Sequence, residues 1–414
     1  MTTRPGPSST TTSPAKGSAA GVPSLVSVIM PVYNGCAFLP ETFEAVDRQT
    51  YRQIERIAVD DGSTDGSVEA IRRHGGWTLR EVDRGGSNRA RVEGLAAATG
   101  EFIAFLDQDD LWHPDHIACC VAALQRHSDA PAVVARRQRF RQPRELRLSA
   151  DGVATAQYDP WATFPLQVID TPSMVVARRS ALDAIGGWPQ TGGAAADCLA
   201  WWRLSSLDAF ALTASRTVGV RESSGSMSVV DRRSPFDCLE NMRRVALDAV
   251  GSRPVAERDR RVTRASDLFD AMARIVAAID DQQDAAPAAL HLEAVLAPQS
   301  DAMVLLAIRF LGWLYGPRLQ QAHGSQRSSL LKVMLVQWPA QAVRTRREMR
   351  RLVATLAPTS DLLAFLGPAP GCWSIWHCLV ENLLARLARG CGRVGDPLDL
   401  RIAEPGRSTA VDRG

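Results

Sequence analysis

Three carboxylates, Asp107, Asp109 and Asp110, lie almost side by side in EFIAFLDQDDLWHPD, the stretch from Glu101 to Asp115. Carboxylates this close repel one another and raise each other's pKa unless a cation neutralises them. Their types and spacing therefore suit a site that holds positive charge. On its own the cluster reads equally well as an acidic turn in which Asp110 caps the next helix. The run before it, Phe102 to Leu106, is apolar throughout, the pattern of a strand covered on both faces. Pro114 behind it suits the first turn of a helix.

Two more polar clusters stand where apolar runs end. Residues 25–30 form a strand pattern that stops at Pro31, followed by Tyr33, Asn34 and Gly35; residues 54–59 form another, followed by Asp60 and Asp61. Helical patterns fill the gaps at 40–48, 67–73 and 88–98, and a short strand fits 77–82. Alternating strand and helix argue for a parallel α/β sheet, in which the ligand crevice lies outside the carboxyl ends of the strands. The first strand-to-helix turn is not GxGxxG, so a dinucleotide-binding dehydrogenase is poorly supported. Farther on, strands are expected at 132–135 and 173–177, a solvated basic stretch at 136–147, and helices at 180–185 and 197–204. From residue 235 helical patterns dominate, broken at Pro254, Pro287, Pro298, Pro317 and Pro339.

Composition sets the outer bounds. The 414 residues, 45% hydrophobic and 22% charged, fit an ordinary globular protein with an α/β domain and a helical extension. A formal net charge of +3 gives no footprint for nucleic acid. The eight Cys lack paired zinc-site spacing and read as buried reduced thiols, which fits the cytoplasm. Residues 1–23 are rich in Ser, Thr, Pro and Gly, with no apolar secretory core; they are expected to form a disordered leader. The expected division is then an α/β domain over 24–234, a helical region over 235–395 and a disordered tail over 396–414.

VSVIMPVYNG, VDDGSTDGS, the stretch Gly86 to Gly94, FLDQDDLWHPD, IGGW and ADCLAWWRL occur in this order and together resemble the family 2 glycosyltransferases. The resemblance spans roughly residues 25–228. It implies the GT-A fold, a nucleotide-sugar-binding domain with a Rossmann-like mixed sheet flanked by helices, and transfer with inversion at the anomeric carbon. It also implies that Pro31, Tyr33, Asn34, Asp60, Asp61, Arg91, Asp107, Gln108 and Asp109 bind the nucleotide-sugar. Tyr33 would stack on a uracil ring, Asp61 would accept from its imide N–H, and Arg91 would serve as a cation near the diphosphate. Asp107 and Asp109 correspond to the DxD motif. Their carboxylates would hold Mg2+ or Mn2+, which neutralises charge growing on the leaving diphosphate. Asp109 is the expected direct metal contact, and Asp110 the helix cap.

Inversion in one step needs a base for the acceptor hydroxyl. By resemblance this is Asp197, although the family's preceding Glu is Ala196 here; taken structurally, Asp197 would be an N-cap. Trp201 and Trp202 are candidates for an acceptor-sugar platform, or for core. In RESSGSMS, Ser223 stands where many relatives have His, which weakens the case for metal dependence. His113 and His116 read as surface residues. The expected partners are a nucleotide-sugar donor, by resemblance a UDP-hexose or UDP-N-acetylhexosamine, and a glycan, lipid-linked or protein acceptor. Residues 303–315 and 373–387 mix apolar and aromatic side chains with Arg, and 344–351 are basic. They are candidates for peripheral contact with the inner face of the plasma membrane, or for a bundle packing on itself. Against this stand two alternatives: a degenerate glycosyltransferase-like binding protein, favoured by Ala196 and Ser223, and a nucleotidyltransferase, disfavoured because residues 31–35 form no Gly-rich phosphate loop.

Overall fold

The structure is a computed structural model that describes residues 24–296 apart from 151–155, 168, 170, 191–192, 223–234, 282 and 284–285. The leader, Ser223, the three candidate membrane segments and the tail lie outside the described residues.

β1 (Val26–Val32) is buried along its whole length, as its nearly all-apolar sequence requires. It is hydrogen-bonded in parallel to β2 (Ile54–Asp60) on one side and β4 (Phe102–Phe105) on the other, and β2 pairs in parallel with β3 (Thr78–Glu81). The connecting helices α1 (Leu39–Asp47), α2 (Ser67–His74) and α3 (Ser87–Ala97) flank these strands. Up to this point the sheet is parallel. Beyond β4 it becomes mixed: β8 (Val175–Arg178) is antiparallel to β4, and β6 (Ala132–Phe140) is antiparallel to β8. β9 (Phe210–Arg221) runs parallel to β6 and antiparallel to β5 (Leu111–Trp112) and β7 (Ala156–Tyr158). The full order is β3-β2-β1-β4-β8-β6-β9-β5, with β7 on β9.

The basic stretch after residue 135 opens as a strand rather than as a solvated face, because β6 continues to Phe140 with Arg136, Arg137 and Arg139 partly buried. α4 (His116–Arg126) follows the acidic loop, while α5 (Arg179–Ala184) and α6 (Ala196–Ser205) bracket the IGGW turn. The helical region begins with α7 (Pro235–Val250), α8 (Val255–Asp280) and α9 (Ala286–Leu296). α7 packs on α6, and apolar side chains from all three helices join the core built around the sheet. Among the described residues no helix is long and apolar enough to cross a membrane.

Candidate active site

At the carboxyl end of β1 the chain turns through Asn34, the only described non-glycine residue with positive φ (48°). Asn tolerates this conformation, and here the side chain is also used: Thr64 N–H donates to Asn34 Oδ1 at 2.8 Å. Asn34 N–H in turn donates to Ser63 Oγ at 2.9 Å, so Asn34 knits the turns after β1 and β2 together. Gln108 does the same between the turns after β1 and β4. Its Oε1 accepts from Tyr33 N–H at 2.9 Å and its Nε2 donates to Tyr33 O at 3.0 Å. A Cβ on Gly35 would sit 2.2 Å from Gln108 Oε1, so only glycine leaves room for this clamp. Pro31 lies buried within β1.

Asp60 forms an Asx-type turn, its Oδ2 accepting from the N–H groups of Gly62 and Ser63 at 3.1 and 3.0 Å. Asp61 is buried, and its two oxygens accept from Gly85 and Gly86 N–H at 2.7 and 2.9 Å. A carboxylate has about four acceptor sites, so Asp61 keeps capacity for a further donor. Tyr33 is 40% exposed, and its ring is covered by Arg84, whose guanidinium carbon lies 3.0 Å from the ring centroid. The same guanidinium stands 3.8 Å from Asp61 Oδ2. One flat cation thus spans the ring face and the carboxylate that the resemblance assigns to a base. Sequence reasoning missed Arg84; its position just before Gly85-Gly86 was the available signal.

The acidic loop joins β4 to β5. Asp107 is fixed at both oxygens: Arg91 Nη2 donates to Oδ1 at 2.5 Å and Thr171 Oγ1 lies 3.0 Å from Oδ2. Arg91 comes from α3 and is itself buried, its guanidinium 5.3 Å from the ring centroid of Trp188 in the IGGW turn. Asn88 completes this corner, accepting from Trp188 Nε1 at 3.1 Å and donating to Gly193 O at 2.6 Å. Asp109, by contrast, has no hydrogen-bonded side-chain partner for its carboxylate among the described residues. Burial, and then the charge of Asp107, push its pKa up to about 6, against a partial offset from Arg221.

Asp110 does not cap a helix. α4 begins later, with Asp115 at its N-cap, and Asp110 is buried beneath the loop, 3.1 Å from Thr171 Oγ1 and accepting from Arg221 N–H at 3.0 Å. Desolvation, together with the charges of Asp109 and Asp107, raises its pKa well above the usual carboxylate range. Arg221 donates from Nε to Asp109 O at 2.9 Å and pairs with Glu41 of α1, which staples β9 to the loop. His116 is another correction. It is fully buried against the Trp112 ring with Nδ1 2.8 Å from Thr217 Oγ1, and burial holds its pKa down to about 3.

Asp197 lies in the first turn of α6 rather than at its N-cap, which is Ala195. Its pKa is pushed up to about 6, mainly by desolvation; Arg91 lowers it and Asp107 raises it. Asp197 therefore sits within electrostatic reach of the Arg91–Asp107 pair, although these three residues come from α6, α3 and the β4–β5 loop. Trp201 and Trp202 are fully buried and pack against aromatic neighbours such as Trp188 and Phe164. They belong to the core and offer no platform to an acceptor.

Among the described residues no three His, Cys, Asp or Glu side chains are gathered as a ready-made metal cage. The donor set nevertheless fits a hard cation that takes part of its shell from a ligand. Asp109 offers a carboxylate with no side-chain partner among the described residues, whose raised pKa a positive charge would relieve.

Carboxylates at the carboxyl edge of parallel strands, backed by a buried arginine and a second half-buried acid, define an α/β domain with its ligand crevice at that edge. Residues 27–186 match the family model described as Glycosyl transferase family 2. Glycosyltransferase GlyG of Streptococcus pneumoniae is 36% identical over 115 residues, covering 27% of this chain and 38% of that protein. Amylovoran biosynthesis glycosyltransferase AmsB of Erwinia amylovora is 32% identical over 108 residues, covering 24% and 36%. The chain thus spans little more than a third of either relative. A crystal structure of S. aureus TarS 1-349 in complex with UDP-GlcNAc aligns with a TM-score of 0.47 at 16% identity, over 75% of this chain and 89% of that one.

Proposed function

We propose that this protein is an inverting glycosyltransferase that moves a sugar from a nucleoside diphosphate, with UDP the favoured carrier, to a hydroxyl of a glycan, lipid-linked or protein acceptor. The observation that carries this reading is the pairing of buried Arg91 with Asp107 at the carboxyl end of β4, with Asp109 two residues on lacking a side-chain partner among the described residues. Tyr33 and Asp61 supply a base site at the adjoining strand end. Arg91 is suited to the diphosphate because its donors form a planar fork. Asp109, helped by Asp107, would hold Mg2+ or Mn2+; when bound, the cation supplies positive charge that stabilises the departing diphosphate. Asp197 removes the acceptor hydroxyl proton as that oxygen bonds to C1 from the face opposite the leaving group. The C1–O bond to the diphosphate breaks and its electron pair leaves with the nucleotide. A pKa near 6 leaves Asp197 mostly ionised at neutral pH while making it a better base than an ordinary aspartate.

Calorimetric titration with UDP, with and without Mn2+, tests this on wild type and Asp109→Ala. Mn2+-dependent binding that disappears in the variant supports the donor site. Absence of binding by UDP, and likewise by GDP and dTDP, would overturn it and favour a degenerate, non-catalytic domain.

A further inference from the structure

Thr171 lies outside every motif that pointed to the site, yet it touches two of the three acidic side chains. It is 5% exposed, and its Oγ1 stands 3.0 Å from Asp107 Oδ2 and 3.1 Å from Asp110 Oδ2. The same oxygen accepts from Ser173 N–H at 3.2 Å, an arrangement that caps the short 3-10 turn Pro172–Met174 leading into β8. Ser173 grips the loop from its other side: Asp107 N–H donates to Ser173 Oγ at 3.0 Å and Trp112 Nε1 donates to Ser173 O at 3.0 Å. The turn before β8 therefore holds both the backbone and the side chain of Asp107.

We propose that Thr171 is a positioning residue for donor binding, its hydroxyl fixing the Asp107 carboxylate so that Asp107 faces Arg91 while Asp109 remains open to a cation. This rests on the donor-site reading given above. A carboxylate held at one oxygen rotates about its last torsion, which is a broad well; one held at both does not. Arg91 holds Oδ1 and Thr171 holds Oδ2. As a β-branched residue, Thr171 is itself restricted at χ1, so the hydroxyl is a fixed post. Valine keeps the shape of threonine and removes only the post.

The test is calorimetry on wild type, Thr171→Val and Thr171→Ser with two probes, UDP plus Mn2+ and uridine alone. Thr171→Val is expected to weaken UDP–Mn2+ binding by about tenfold or more, the loss expected for a hydrogen bond to a charged group. Uridine, which reads only the base end, should bind within twofold of wild type, and Thr171→Ser should recover most of the UDP–Mn2+ affinity. A general loss of structure would weaken both probes together, and that result would overturn the role. So would unchanged UDP–Mn2+ binding in Thr171→Val, or a serine variant no better than the valine one. If wild type binds uridine and UDP in neither condition, the donor-site reading fails first and this role falls with it.

Discussion

Asp197 and Asp109 are carboxylates whose pKa is raised to about 6 by burial, and the same shift has opposite consequences for activity and for stability. In the proposed role of base, Asp197 would work only when ionised, so transfer measured as kcat/KM is expected to rise with pH through about 6 and then level. Asp197→Asn should lower turnover by about 10²–10⁴-fold while UDP binding stays within twofold; a variant with near-normal turnover would remove Asp197 from the role of base. For stability, the folded state holds these protons more tightly than the unfolded chain, whose Asp pKa is about 3.9. The contribution is therefore fully present below about pH 4, is lost as pH rises to about 6, and stays lost above. Asp109→Asn removes this penalty and should stabilise the protein by about 1–3 kcal/mol at pH 7.5, with no gain at pH 4, while abolishing Mn2+-dependent UDP binding. Thermal melts at the two pH values check the sign. The acidic motif was legible because its chemistry is written in residue types. The fate of Asp110 was not, since capping and burial differ only in where α4 starts.

At the scale of elements, α3 explains how sequence pattern becomes site geometry. A Cβ on Gly94 would lie 2.3 Å from Ile29 Cγ2 of β1 and 3.3 Å from Val59 Cγ2 of β2, so the helix presses directly on the sheet there. Arg91, one turn earlier, owes its reach to Asp107 to that close approach. Gly94→Ala is expected to destabilise the fold by about 1–3 kcal/mol through overpacking and to weaken UDP–Mn2+ binding at least fivefold, because the helix must lift and carry Arg91 with it. An alanine variant with wild-type melting temperature and affinity would show that the contact is slack. The parallel half of the sheet was legible because β1 and β4 are buried apolar runs and α1 and α2 are amphipathic helices. The antiparallel turn at β8 and the arginine-bearing part of β6 were not. Pairing direction is decided by connections across the sheet, and a strand with partly buried Arg carries no clean alternation. Thr171 was illegible for the same reason, since its partners come from a distant part of the chain.

Across the whole molecule, the helices after residue 235 are part of what holds the candidate base in place. Leu239, Met242, Val245, Ala246 and Ala249 of α7 are buried at helical spacing, and Arg203 of α6 pairs with Asp248 of α7 at 3.1 Å. α7 also packs on the turn Gly193–Ala195 that opens α6, two residues ahead of Asp197. The acidic loop, in contrast, is braced by the turn before β8, by β9 and by α1. A disturbance at α7 should therefore reach the acceptor side before the donor side. Ala246 is fully buried, and Ala246→Leu inserts three carbons into a packed seam, at a cost of about 1–3 kcal/mol. The melting temperature is expected to fall by about 2–4 °C per kcal/mol for a domain of this size. The unfolding should remain a single transition, because α7, α8 and α9 share one core with the sheet. Turnover should drop several-fold more than UDP–Mn2+ affinity. Equal losses in the two would mean that α7 supports the fold generally and has no particular hold on α6; two separate transitions would mean that the helices form a unit of their own.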